Sequence, residues 1–250
     1  MVRRRKIWRR KGTLHLGPLQ PPPRPAFSLI IPVLNEARVL AATLAALPVA
    51  PDLEVILVDG GSADGTWETA GDFPRVRRFR SPRGRGRQMN AGALAARGEI
   101  LAFLHADTTL TGAHLAALRR AAADPRFAAG AFELSLTPDL PALRFIAWGA
   151  NLRSRLLGLP YGDQVLCLRR DLFFRLGGYV HRRPEDLDLV LRLRRHTRLA
   201  ILTPPVASSG RRWLEGGYFL TTLAHWTALA WHLAQRAFTR GWSARGELLG

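Results

Sequence analysis

The chain has a single cysteine, Cys167, which excludes a disulfide framework and any Cys-rich zinc site. A lone thiol agrees with a reducing cytoplasm. Acids are scarce: 19 Asp and Glu stand against 37 Lys and Arg, for a net charge of +18. That balance favours anionic partners, whether nucleotides, phosphate groups, nucleic acid or anionic lipid. Residues 1–26 have no acid, although they carry Arg3, Arg4, Arg5, Lys6, Arg9, Arg10, Lys11 and Arg24. No apolar stretch follows those arginines, so they do not open a good signal peptide. Gly216–Gln235 lacks Asp, Glu, Lys and Arg, yet its hydrophobicity is modest for a bilayer span. No internal repeat of fixed period is present. Two phosphate-binding fingerprints are missing as well. Gly60 to Gly65 has the outer glycine spacing of a P-loop, but Thr66 stands where lysine is required. Gly84-Arg-Gly86 lacks the third glycine of a dinucleotide fingerprint, because Met89 occupies that place.

The 250 residues, 47% of them hydrophobic, suffice for a core without metal or disulfide staples. The length fits one large α/β domain, or one domain plus tails. Pro18, Pro21, Pro22, Pro23 and Pro25 favour an extended chain, so residues 1–26 read as a flexible basic arm outside the fold. The arm is either an uninvolved extension or a contact for anionic lipid or nucleic acid.

From Phe27 the pattern alternates between strand and helix. Ser28–Val33 suits a buried strand, and Asn35 is expected to cap a helix over Glu36–Leu47 that Pro48 ends. Strands are expected at Glu54–Val58, Arg75–Arg80, Ile100–Leu104 and Ala129–Leu136. Helices are expected after Asp64, over Gly86–Arg97 with Gly98 as stop, and over residues 112–123. This β-α-β rhythm implies a mostly parallel sheet covered by helices, with right-handed crossovers.

In open α/β sheets, ligands bind beyond the carboxyl ends of the strands. Three such ends present acids: Asn35-Glu36, Asp59, and His105-Ala106-Asp107. Each acid alone could merely cap the next helix; three together point to a site. Arg83–Gly92 combines glycines that let backbone approach an anion with arginines that donate to phosphate oxygens, although a mobile basic loop has the same composition. Glu185-Asp186 follow Pro184 at the start of a helix, where acids also complement the helix dipole. Leu187, Val190, Leu191 and Leu193 would pack inward, and Asp188 and Arg192 would pair four residues apart. Tyr161-Gly162-Asp163-Gln164 is expected in a loop before a strand with Val165–Leu168, either as a tight turn or as part of a polar pocket. Gly177-Gly178 should stop a helix that ends near Phe173–Tyr179, and Cys167 belongs to an apolar run as a small core residue.

Taken in order, these segments resemble a family 2 glycosyltransferase. The carrying residues are Ile30–Glu36, Val58–Thr66, Gly86–Gly92, Phe103–Thr108, Gly162–Gln164 and Pro184–Leu189. The combination of Gly86-Arg-Gln-Met-Asn90, Leu104–Thr108 and Tyr161–Gln164 is similar to the bacterial subgroup called radical-SAM/selenodomain-associated transferase 2. Some of its members are described as arsenosugar biosynthesis glycosyltransferases.

The resemblance implies a single GT-A domain with a mostly parallel central sheet over residues 27–212; by composition, residues 213–250 read as a C-terminal helical extension, with its uncharged stretch an amphipathic helix packed on the domain, an interfacial helix or, least in keeping with its hydropathy, a spanning one. The resemblance also implies a nucleotide-diphosphate sugar as donor and a divalent ion, Mn²⁺ or Mg²⁺, at Asp107. Asn35, Glu36 and Asp59 would meet the base and ribose, and Arg87 and Asn90 the diphosphate. Pro32, Gly61, Ser62, Asp64, His105 and Ala106 complete the expected donor set. His105 departs from the family pattern, which often has Asp there; imidazole is a poorer ligand for Mg²⁺ but acceptable to Mn²⁺, and the residue could equally be a packed strand-end histidine. Asp186 would be the general base of an inverting displacement, supported by Glu185, and Gly162, Asp163 and Gln164 would face the acceptor. The expected location is cytoplasmic, with peripheral contact to an anionic membrane through residues 1–26 or the C-terminal helix. The competing readings are a basic nucleic-acid-binding protein and a catalytically silent nucleotide-sugar-binding partner. The dispersed basic excess and the lack of a nucleic-acid motif argue against the first, and the intact Asp107 and Asp186 against the second.

Overall fold

The computed structural model describes residues 25–180 and 185–218, together with Thr221, Thr222 and Thr227. The basic arm up to Arg24, Pro184, and most of the uncharged C-terminal stretch lie outside these residues.

The first half follows the expected rhythm. Strands β1 (Phe27–Val33), β2 (Leu53–Asp59), β3 (Val76–Arg80) and β4 (Ile100–Phe103) alternate with helices α1 (Ala37–Ala46), α2 (Thr66–Gly71) and α3 (Arg85–Ala95). All pairings among these four strands are parallel. Side-chain alternation on β1 separates two cores. Leu29, Ile31 and Val33 pack with Leu40, Leu44, Leu115 and Leu118 on one face. Ile30 packs with Met89, Phe173, Leu187 and Val190 on the other. Gly92 permits α3 to lie this close to the sheet, since a Cβ there would stand 2.4 Å from Ile30 Cγ2.

The second half is mixed. It contains β5 (Thr108–Thr109), α4 (Gly112–Ala122), β6 (Ala129–Thr137), α5 (Pro141–Leu157), a 3₁₀ turn over Gly162–Gln164, and β7 (Cys167–Arg169). Then come α6 (Arg170–Arg175), α7 (Glu185–Leu193), β8 (Ala200–Ser209) and α8 (Arg211–Gly216). The eight strands run β3-β2-β1-β4-β7-β6-β8-β5. Strand β7 lies antiparallel to both β4 and β6, and β5 is antiparallel to β8, whereas β6 and β8 are parallel. The sheet is thus mostly parallel, and every antiparallel pair involves β7 or β5 of this half. A third apolar cluster joins Leu134 and Leu136 of β6 to Leu143 and Ala147 of α5 and Trp213 of α8.

One capping expectation is corrected. Glu36, not Asn35, occupies the cap position of α1, and no side chain of that residue caps the helix. Asn35 instead adopts a left-handed φ of 56° and turns its amide toward the loop after β2. The helix that begins with the arginine-rich loop starts one residue earlier than expected, at Arg85, and ends at Ala95, short of Gly98.

Candidate active site

The loops after β1 and β2 are sewn together by side chains. The Asn35 amide N–H donates to Ser62 Oγ, and Asn35 Oδ1 accepts from the Ala63 amide, both at 2.9 Å. Asp59, buried at the end of β2, accepts from the amide and hydroxyl of Ser62. Asp64 accepts from the Ala37 amide at 3.1 Å and from the Thr66 hydroxyl, while Thr66 Oγ1 accepts from the Glu36 amide at 2.8 Å. The Thr66 hydroxyl bond is the main cause that holds the Asp64 carboxyl below its usual range. Gln88 of α3 is buried and donates to the carbonyls of Val33 and Val58, joining the carboxyl ends of β1 and β2. Pro32 lies in the same register, opposite Val58, and Gly61 forms an exposed turn of positive φ.

Beyond these ends lies a cleft of about 410 Å³. Its lining includes His105 and Asp107 after β4, Gly162 and Asp163 in the 3₁₀ turn, and Glu185 and Asp186 at the start of α7. The sequence-predicted acids of three distant segments therefore meet in one cavity. Asp107 makes no ion pair among the described residues. Glu36 stands nearby: burial pushes its carboxyl up, Arg211 opposes at 3.8 Å, and the charges of Asp107 and Asp64 reinforce the rise. Burial, and then the guanidinium groups of Arg85 and Arg212, hold His105 well below the usual imidazole value, so the ring is neutral at neutral pH.

Asp186 occupies the other wall. Its Oδ2 lies 3.6 Å from Arg85 Nη2. The backbone of Gly162 sits directly against it, since a Cβ at that position would fall 2.3 Å from Asp186 Oδ2. Asp186 Oδ1, Asp163 Oδ1, and Arg85 Nε and Nη2 are buried without hydrogen-bond partners among the described residues. Unsatisfied polar atoms carry a desolvation cost, and their concentration around one cleft marks a place where a polar ligand would satisfy them. Burial pushes the Asp163 carboxyl up, Arg153 opposes, and Asp186 adds to the rise.

Several expected contact residues face elsewhere. Arg87 is exposed on α3 and does not line the cleft; Arg85 does. Asn90 bridges α3 to Tyr179, donating to its carbonyl at 2.7 Å and accepting from its amide at 2.9 Å. Gln164 is fully buried, accepts from Ser154 Oγ and the Tyr161 amide, and donates to the Phe132 carbonyl. The Ala106 carbonyl accepts from Thr43 Oγ1. Cys167 is a core thiol that burial pushes up to about 12. Arg211 and Arg212 were not singled out by sequence, and Arg85 was read only as one of the arginines of Arg83–Gly92, with Arg87 assigned in its place. A signal for Arg85 exists: it precedes Gln88 by three residues, one helical turn, and so shares its face.

The donor set suits a hard cation. A single free carboxylate in a polar cleft matches an ion that keeps its waters and takes further oxygens from substrate phosphates. Among the described residues no three His, Cys, Asp or Glu side chains form a protein-only metal cage.

Three solved structures and one set of curated proteins share features with this chain. S. aureus TarS 1-349 superposes with a TM-score of 0.60 at 15% identity, covering 73% of this chain and 60% of that one. The same protein in complex with UDP-GlcNAc gives a TM-score of 0.59 at 16% identity, covering 73% of this chain and 58% of that one. The mannosyltransferase PcManGT from Pyrobaculum calidifontis, in complex with GDP-Man and Mn²⁺, gives 0.55 at 24% identity, covering 74% and 56%. These likenesses concern the fold, which is that of GT-A glycosyltransferases. A PGL/p-HBAD biosynthesis glycosyltransferase of Mycobacterium bovis is 42% identical over 94 residues, 34% of this chain and 37% of the relative. The chain thus spans little more than a third of the curated relatives it matches. The description of glycosyl transferase family 2 matches residues 28–157, just over half of the 250, and takes in the laced loops, Gln88 and Asp107. With that match laid over the strand-end geometry, the chain belongs to glycosyl transferase family 2.

Proposed function

We propose that this chain transfers a glycosyl group from a nucleotide-diphosphate sugar to an acceptor hydroxyl, with inversion at the anomeric carbon. The observation that carries the reading is the convergence of Asp107, Asp186 and Arg85 on one cleft whose buried polar atoms lack partners. The neighbours' bound UDP-GlcNAc and GDP-Man support a nucleotide-sugar donor. In this reading the loops around Asn35, Asp59 and Ser62 receive the nucleoside, and Arg85, Arg211 and Arg212 face the diphosphate with positive charge. Asp186 accepts the acceptor hydroxyl proton as that oxygen bonds to the anomeric carbon. The bond from that carbon to the diphosphate oxygen breaks, and its electron pair leaves with the nucleoside diphosphate. Glu185 and Asp163 hold the acceptor beside Asp186. Asp107, with His105 adjacent, would hold a divalent cation, which when bound supplies positive charge to the leaving diphosphate. The Gly86–Asn90, Leu104–Thr108 and Tyr161–Gln164 motifs support the radical-SAM/selenodomain-associated subgroup and its arsenosugar members as the nearest functional setting, at a cytoplasmic location.

Calorimetric titration with UDP-, GDP- and dTDP-sugars, with and without Mn²⁺, tests the donor side. One donor is expected to bind more tightly with the metal, and Asp107→Ala should abolish that metal-dependent gain. Absence of binding to every donor by the folded protein would refute the proposal.

A further inference from the structure

Helix α5 has two apolar faces where one would suffice. Leu143 and Ala147 are buried against β6 and Trp213. On the opposite side Phe145, Trp148, Leu152 and Leu156 are 71%, 57%, 40% and 73% exposed. Their spacing of three, four and four residues places them in one stripe along the helix. The stripe spans about 16 Å at the helical rise per residue. Phe145 and Trp148 stack on each other at 5.6 Å between ring centroids and do not turn inward. A contiguous apolar surface of this kind is a recognition surface and not ordinary exposure.

Its surroundings indicate the partner. The helix carries Arg144, Arg153 and Arg155 and no acid; Arg144 and Arg155 pair with Asp139 and Glu133 yet stay 67% and 59% exposed, where such pairs are weak, within a chain of net charge +18. An apolar stripe with aromatic residues, bordered by arginines, is the composition of a helix that lies in the headgroup layer of an anionic membrane. The stripe also leads to the cleft. Its four side chains line a groove of about 400 Å³ whose far wall includes Tyr161, Asp163 and Trp213, and these three also line the cleft.

We infer that the outer face of α5 is a docking surface for an anionic lipid bilayer. Docked there, the groove opens the cleft toward the headgroup layer, where an acceptor anchored in the membrane would stand. The docking surface does not depend on the transferase reading; only the consequence for the acceptor does.

Flotation of the full chain with vesicles of phosphatidylcholine, with and without phosphatidylglycerol, tests the inference. The wild type should float with the anionic vesicles. The double substitution Phe145→Ser with Trp148→Ser should weaken that binding about tenfold or more, because two large apolar anchors become small and polar. Phe145→Leu with Trp148→Leu should retain most of it. All four changes fall on exposed side chains, and unchanged circular dichroism and melting would verify the fold. Nucleotide-sugar titration of the same samples reports the transferase reading separately, and the serine pair should leave it unaltered. The inference is overturned if the wild type does not bind anionic vesicles, or if the serine pair binds as well as the wild type, which would place the contact elsewhere in the chain. It is also overturned if sedimentation reveals a dimer that the serine pair dissolves, which would make the stripe an interface between copies.

Discussion

At Asp186 a carboxylate is held between a guanidinium 3.6 Å away and a glycine backbone with no room for a methyl group. This confinement sets where the oxygens point. Asp186→Asn keeps the shape and removes the proposed proton acceptor, so turnover should fall by about a hundredfold or more while donor affinity holds. Gly162→Ala attacks the same atom from the other side, since the added methyl must displace the carboxylate. It should lower turnover in the same direction with donor binding retained, as steady-state kinetics alongside calorimetry would record. The acids of the cleft were legible because they follow apolar strands or open a helix, where polar residues are conspicuous. Asn90 and Gln164 were not legible in the same way. Both are amides that bridge protein groups: Asn90 holds the Tyr179 backbone, and Gln164 holds Ser154 Oγ, the Tyr161 amide and the Phe132 carbonyl. A sequence motif marks such residues without telling a ligand contact from a structural bridge.

At the scale of elements, Glu54 ties the amino ends of the parallel strands together. At the start of β2, it accepts from Ser28 Oγ of β1 at 2.6 Å, from Arg77 of β3 at 2.5 Å, and from the Arg97 amide ahead of β4. Burial pushes its carboxyl up, but the bonds from Ser28, Arg97 and Arg77 outweigh burial and leave it below the usual value of 4.5. A carboxyl lowered by folding stabilises the fold above its unfolded pKa, and that contribution is lost as pH falls through the folded one. Glu54→Gln should therefore cost about 1–3 kcal/mol at neutral pH. The difference from wild type should vanish in acid, below the folded pKa, when urea unfolding is compared across pH. The parallel half was legible because each strand is an apolar run followed by a helix with a clear boundary. The mixed half was less so. The apolar run expected as a strand over Val165–Leu168 marked β7, offset toward Arg169, but β5 has only two residues, too few for a periodic signal. Strand β8 contains Pro204 and Pro205, which argue against a strand inside a sheet. They fall in a register irregularity, between the pairings of Leu202 with Phe132 and Val206 with Leu134, where no regular ladder bond is required of them.

At the scale of the whole molecule, three apolar clusters among the described residues hold the layers together, and the smallest fastens α8 to the rest. Trp213 is its largest side chain and is 6% exposed. A boundary placed between residues 212 and 213 on sequence grounds runs through α8, whose Trp213 packs on β6 and α5. Trp213→Ala should destabilise the protein by about 3 kcal/mol or more and lower its melting temperature by roughly 6–12 °C. Because Arg211 and Arg212 flank this tryptophan, the loss should also weaken nucleotide-sugar binding, and the same calorimetric titration would detect it. The basic balance was legible from composition alone, but its placement was not: the arginines that border the cleft come from α3 and α8, far apart in the chain.

The cleft has two walls of different provenance. Arg85, His105 and Asp107 of one wall all fall before residue 108, inside the stretch that matches the family. Gly162, Asp163, Asp186 and Arg211 all fall after residue 157, beyond that stretch. In the proposed reading the nucleoside loops and the cation carboxylate lie inside the family match, and the proton acceptor and acceptor contacts lie outside it. Exchanging the later segment between relatives should therefore change the acceptor, provided that Arg211 and Arg212, which that reading sets at the diphosphate, and the contact of Gly162 with Asp186 are kept.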